Sequence, residues 1–130
     1  MRVKDSELIM TDATTDLQRL KLQVQQFCAE RDWDQFHGAK DLAIGAVTEA
    51  SELLEIFRFF NEEQAEALLK DESKRLAVGH ELADVLFFLL RFAERYNFDL
   101  SQQFANKMEH NAKKYPAHEF RGKNHKSNLK

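Results

Sequence analysis

Between Thr15 and Pro116, apolar residues recur every three to four positions almost without interruption, and no useful stretch alternates apolar and polar residues as a strand would. The pattern predicts an all-α fold. A first helix is predicted from about Asp16 to Arg31, with Thr15 or Asp16 as N-cap and Leu17, Leu20, Val24, Phe27 and Cys28 on one stripe. Trp33 to Gly38 then connects to a second helix, about Ala39 to Phe60, and Asn61 suits the cap of a short acidic stretch from Glu62 to Leu69. The third and longest helix is predicted over about Glu72 to Tyr96, and a fourth from Asp99 to about Lys114, where Pro116 stops it. Residues 16–116 should therefore form one helical domain. The N-terminus, 1–15, and the tail, 117–130, with four basic residues against Glu119, are predicted to be flexible.

Composition agrees with helices and removes several function classes. The 130 residues include eleven Phe but only four Gly and one Pro, which argues against a turn-rich β fold or a glycine-punctuated dinucleotide fold. A net charge of −3, from 19 Lys and Arg against 22 Asp and Glu, offers no general attraction for nucleic acid, so a polymer of nucleotides is not an expected partner. The single cysteine, Cys28, excludes an intrachain disulfide and a CxxC metal site and fits a reducing compartment. The longest apolar run, Val85 to Leu90, is far shorter than the roughly 20 residues of a membrane span. No apolar segment of signal-peptide length precedes Asp16, so a soluble, cytoplasmic protein is expected.

The informative charges are those on faces that ought to be dry. At about 100° per residue, Glu49 and Glu52 fall within a stripe otherwise made of Leu42, Gly45, Ala46, Leu53, Ile56, Phe59 and Phe60. Glu55 lies at its edge. The third helix is apolar nearly all round from Val85 to Phe92, which predicts a central position, and Glu81 and Asp84 enter that segment one turn apart. Four carboxylates brought together in an apolar setting would repel one another unless a cation compensates them. The oxygen-only set, with no ExxH pair beside it, suits Mg²⁺, or Mn²⁺ as a substitute, better than Zn²⁺ or a di-iron centre. The structural alternative is that the four acids are salt-bridged to basic residues such as Lys74, Arg91, Arg95 or Lys114, or face solvent at a bundle end.

The ordered combination Val47-Thr-Glu-Ala-Ser-Glu-Leu-Leu-Glu55 with Glu81-Leu-Ala-Asp84 resembles the ExxE...ExxD signature of the all-α, MazG-like nucleotide pyrophosphohydrolases. Glu30-Arg-Asp-Trp-Asp-Gln-Phe-His37 and Lys107-Met-Glu-His-Asn-Ala-Lys-Lys-Tyr-Pro-Ala-His118 make the chain most similar to the dCTP pyrophosphatase branch, and the likeness covers about residues 16 to 118. The resemblance implies a four-helix MazG-like bundle completed by oligomerisation, as a homodimer or homotetramer. It also implies hydrolysis of a nucleoside triphosphate, with dCTP or a modified dCTP the leading substrate, to the monophosphate and diphosphate. Carboxylates at Glu49, Glu52, Glu81 and Asp84 would hold Mg²⁺, with Glu49 or Glu52 taking the proton of the attacking water. The resemblance further places substrate contacts at Trp33 and His37, for the base, and at Lys107, Asn111, Lys114 and Tyr115, for phosphate. Three positions depart from the branch: Thr48 replaces a glycine, Asp41 an asparagine and Phe59 a tryptophan. An enzyme that clears unwanted nucleotides is the leading expectation, and a helical interaction module with structural acidic clusters is the alternative.

Overall fold

The structure, a computed structural model, describes residues 10–129. Most of the expected flexible N-terminus, residues 1–9, lies outside that range. The chain divides after Asn97 into two units. The predicted single domain, 16–116, therefore contributes to both.

Every described element is helical, and in the first unit each long helix begins where a local cap makes a start favourable. Helix α1, Leu17–Glu30, starts at Asp16, whose side chain accepts the Arg19 amide at 2.8 Å. Beyond α1, Asp32 takes a left-handed backbone, φ 54°, and a 3-10 turn over Asp34–Phe36 leads to Gly38, which caps α2, Ala39–Phe57. Helix α2 stops before the predicted Phe60 because the Phe60 amide turns back to the Phe57 carbonyl at 2.9 Å, freeing Asn61 to open the next element. Asn61 and Gln64 form a reciprocal capping box at α3, Glu62–Leu68. Asp71 caps α4, Glu72–Arg95, whose 24 residues make it the longest helix, as the hydrophobic pattern implied.

Helix α4 is the shared wall of this unit, packing most extensively on α2 and next on α1. Val24 and Cys28 from α1, Leu42 from α2, Leu68 from α3, and Val78, Leu90 and Ala93 from α4 are its buried apolar residues. The contact between α2 and α4 is close because Gly45 has no side chain: a Cβ there would lie 2.3 Å from the Phe88 ring. Much of the apolar surface stays outside this core. Ile44, Val47 and Leu54 of α2 and Leu82, Leu86 and Leu89 of α4 are all exposed, so the all-round apolar character of α4 is only partly used within one chain.

The second unit holds α5, Leu100–Lys114, with Asp99 accepting the Gln102 amide at 2.9 Å, and the short α6, Ala117–Phe120. Pro116 separates them as expected. The segment predicted to be a flexible tail carries local structure: Tyr115 meets Phe120 edge-on at 4.9 Å, and Phe120 lies 5.1 Å from the His125 ring. Among the described residues no helix is long and apolar enough to cross a membrane.

Candidate active site

The i, i+3 spacing of Glu49 and Glu52 on α2, and of Glu81 and Asp84 on α4, puts each pair on one helical face. The close approach at Gly45 lets the two helices bring these faces together one turn later. Oxygens of Glu49, Glu52 and Glu81 all lie within 4.8 Å of one another. Asp84 is not in that tight group, but its charge helps to raise the pKa of both Glu49 and Glu81, so it belongs to the same field. Burial is uneven, and here the expectation of four dry acids needs correction: Glu49 and Glu81 are half-buried, whereas Glu52 and Asp84 are exposed in the single chain. The α2–α4 pair alone thus shields only Glu49 and Glu81.

The inner carboxylates show what is missing electrostatically. Glu49 Oε2 and Glu81 Oε2 are buried with no hydrogen-bond partner. Burial first, then the Glu52 carboxyl beside it and the charges of Glu52, Asp84 and Glu81, push Glu49 up to about 6. Glu81 is also raised, mainly by burial and then by Glu52, with His80 opposing. The proposed salt-bridge alternative does not hold among the described residues: Arg91 and Arg95 pair with other acids, and no ion pair reaches the four carboxylates. Two stranded oxygens are therefore suited to a cation. In an octahedral Mg²⁺ shell with bonds of about 2.0–2.1 Å, neighbouring and opposite oxygens stand roughly 3 to 4 Å apart. A cluster within 4.8 Å needs only small side-chain adjustment to meet that spacing. The donor set and its orphaned atoms thus fit a hard divalent ion.

Trp33 and His37 are fixed in the loop between α1 and α2. Trp33 meets Phe27 edge-on at 5.6 Å and His37 at 5.9 Å, while its amide bonds the Cys28 carbonyl at 3.0 Å. With 36% of its surface exposed, Trp33 both covers the core edge and leaves ring surface accessible. His37 Nδ1 accepts from Arg91 Nε at 2.9 Å. Burial first, then Arg91 and Arg95, lower the His37 pKa.

In the second unit, Lys107 is exposed on α5, whereas Asn111, Lys114 and Tyr115 are half-buried. Lys114 Nζ stands 5.9 Å from the centre of the Tyr115 ring. Lys107, Asn111 and Lys114 recur at helical spacing from the middle of α5 to its last residue, and Tyr115 is the C-cap that follows.

Sequence reasoning missed the most buried ion cluster. Arg91, 1% exposed, also donates to Glu94 at 2.6 Å and to Asp34, while Arg95 Nη1 lies 3.5 Å from the other Asp34 oxygen. The signal was present as an arginine within the apolar sequence Val85-Leu-Phe-Phe-Leu-Leu-Arg-Phe-Ala93. A charge inside an apolar run marks a buried partner for cations as well as for acids.

The chain is similar to several known proteins. The sequence profile of the MazG-like family matches residues 44–128, which include both acidic pairs and most of the tail. The chain is 37% identical over 107 residues to dCTP pyrophosphatase 1 of Mus musculus, covering 82% of this chain and 61% of that protein. It is 37% identical over 103 residues to dCTP pyrophosphatase 1 of Homo sapiens, covering 79% and 59%. The chain thus spans about three fifths of these relatives. A pyrophosphatase from Archaeoglobus fulgidus DSM 4304 superposes with a TM-score of 0.70 at 30% identity, covering 82% of this chain and 98% of that one.

Proposed function

Because this chain belongs to the MazG-like family, we propose that it is a divalent-metal-dependent nucleoside triphosphate pyrophosphohydrolase. It cleaves between the α and β phosphates, giving the nucleoside monophosphate and diphosphate, with dCTP or a modified dCTP as the leading substrate. The similarity to dCTP pyrophosphatase 1 supports that choice of base. The observation that carries the reading is the pair of buried, unpartnered carboxylate oxygens of Glu49 and Glu81 beside Glu52.

Glu49, Glu52, Glu81 and Asp84 would hold Mg²⁺, for which Mn²⁺ can substitute. Such an ion supplies neutralisation of phosphate charge and acidification of a water. Proton acceptance falls to Glu49 or Glu52. A carboxylate of this cluster left partly free of the metal could take that proton. Trp33 offers a ring for stacking on a base, and His37 a hydrogen bond to its edge. Lys107, Asn111, Lys114 and Tyr115 are assigned to phosphate oxygens, which one carboxamide, one phenol and two ammonium groups can all bind. The exposed Ile44, Val47, Leu54, Leu82, Leu86 and Leu89 support a homodimer or homotetramer.

Purified protein is mixed with each common ribonucleotide and deoxyribonucleotide triphosphate and Mg²⁺, and the products are identified. Monophosphate and diphosphate are expected, fastest from dCTP. Orthophosphate with a nucleoside diphosphate, or no turnover of any triphosphate, overturns the reading in favour of a non-enzymatic module.

A further inference from the structure

Arg91 projects from an otherwise apolar stretch of α4 and is one of the least exposed residues in the chain, at 1%. A guanidinium so placed must find acceptors for its fork, and it finds them on two elements. Nη1 donates to Glu94 Oε2, one turn along the same helix, at 2.6 Å. Nη2 donates to Asp34 Oδ1 and Nε to His37 Nδ1, residues separated from Arg91 by more than fifty positions in sequence. Arg95 balances the second Asp34 oxygen, at 3.5 Å, so two cations meet two carboxylates and the cluster is near neutral. Cys28 lies close enough to feel these charges, but burial pushes its thiol up and keeps it uncharged.

The contact to His37 has a chemical consequence. Nδ1 can accept from Arg91 only if it carries no proton, so the neutral ring must carry its proton on Nε2. Protonating the ring would set an Nδ1–H against the Arg91 Nε–H. Burial most of all, then Arg91 and Arg95, opposes that charge, while Asp34 and Asp41 favour it, and the balance lowers the His37 pKa. The same arginine also fixes Asp34, the residue after Trp33, and so holds both ends of the 33–37 segment.

We propose that Arg91 is the positioning residue of the base-recognition loop: it clamps Asp34 and His37 together and confines His37 to the Nε2–H tautomer, so that the loop presents a hydrogen-bond donor beside Trp33. The matching ligand feature is an acceptor on the base edge, a carbonyl oxygen or an unprotonated ring nitrogen such as a pyrimidine carries. The role in base recognition rests on the function proposed above, whereas the hold on His37 does not.

The two parts are tested on the full chain by separate measurements. In ¹⁵N-resolved NMR without nucleotide, wild-type His37 is expected as the Nε2–H tautomer, titrating below the ordinary histidine value of 6.5. Arg91→Met should mix the tautomers and raise that pKa; Asp34→Asn, at a more exposed position that threatens the fold less, should do so partially. A wild-type ring protonated on Nδ1, or titrating at or above 6.5, overturns the clamp. In kinetics with dCTP, Arg91→Met is expected to raise KM roughly tenfold, corresponding to one tenfold step in affinity, with kcat within about twofold. Asp34→Asn should follow in the same direction with a smaller change. Arg91→Lys should recover thermal stability without restoring the tautomer or KM, because an ammonium lacks the planar fork. Unchanged KM in both folded variants, or a loss of kcat alone, overturns the positioning role. A wild-type chain that cleaves no triphosphate removes the function proposed above and base recognition with it, and the NMR result then decides the clamp alone.

Discussion

Helix α4 carries charges in two places that solve the same electrostatic problem in opposite ways. Around Arg91, two guanidinium groups meet Asp34 and Glu94, and His37 accepts from Arg91 Nε, so every charge has a counter-charge within the fold. About 15 Å along the helix axis, at 1.5 Å per residue, Glu81 joins Glu49 and Glu52 with no cation at hand, and two of their oxygens are buried without partners. The first cluster is complete in its charges, although Arg95 Nε is buried without a hydrogen-bond partner, and serves position. The second is incomplete, and its two orphaned oxygens are what the proposed ion would satisfy.

The largest effect should come from breaking the incomplete cluster. Glu49→Gln or Asp84→Asn is expected to lower triphosphate hydrolysis by on the order of 10²–10³, the scale seen when one preorganised electrostatic group is lost from an active site. Product formation under saturating Mg²⁺ reads this directly, and turnover that survives both substitutions would move the site elsewhere. Neither change should destabilise the metal-free chain, because each removes a repelling charge.

Removing the centre of the complete cluster should do the reverse. Arg91→Ala leaves Asp34 and Glu94 without their cation and is expected to cost about 3–5 kcal/mol of stability, read by chemical denaturation. A cost below about 1 kcal/mol would show that water and Arg95 replace it. Mg²⁺ sharpens the contrast. At a concentration near 100 times its dissociation constant, an ion bound only by the folded chain adds about 2.7 kcal/mol. That gain should be present in Arg91 variants that fold and absent in Glu49→Gln.

Gly45→Ala places a Cβ against the Phe88 ring and should cost about 1–3 kcal/mol through overpacking. By pushing α2 from α4 it should weaken the Mg²⁺ response in a thermal shift while leaving the His37 resonances of the Arg91 cluster in place.

The smallest effect, and the one that separates the clusters by sign, is pH. Glu49 is raised from 4.5 to about 6 in the folded chain. A group raised on folding contributes stability below its unfolded value and loses it as pH rises through the folded one, so metal-free stability from Glu49 should fall between about 4.5 and 6. The Arg91 hydrogen bond, ahead of other causes, lowers Asp34 below its ordinary 3.8. Its contribution is therefore present above 3.8 and is lost as pH falls through the lower folded value. Denaturation midpoints measured from pH 3 to 7, with and without Mg²⁺, should resolve the opposed slopes, and Mg²⁺ should flatten the Glu49 limb.

The helices were legible because each is specified locally. Asp16, Asn61, Asp71 and Asp99 accept the amides that open α1, α3, α4 and α5, and a spacing near 3.6 residues shows whatever the helices later touch. The acidic pairs were legible for the same reason, since i, i+3 residues share a face on any helix. Their depth was not. Glu52 and Asp84 prove exposed, because periodicity ranks faces of one helix but cannot say how far its neighbour covers them. The resemblance of the two acidic motifs to MazG-like proteins is matched by the family profile over residues 44–128, which extends beyond Pro116.

What lay wholly outside the linear pattern were contacts between residues far apart along the chain. Cap, period and motif spacing are short-range properties, and from them alone the residues specify an all-α chain with two carboxylate pairs and an aromatic loop. Which charges become neighbours depends on packing: α2 approaches α4 where Gly45 lacks a side chain, and the loop folds back so that Asp34 and His37 meet Arg91. Tertiary structure therefore decided which buried charges are satisfied, because electrostatic compensation depends on distance in space and only weakly on distance in sequence.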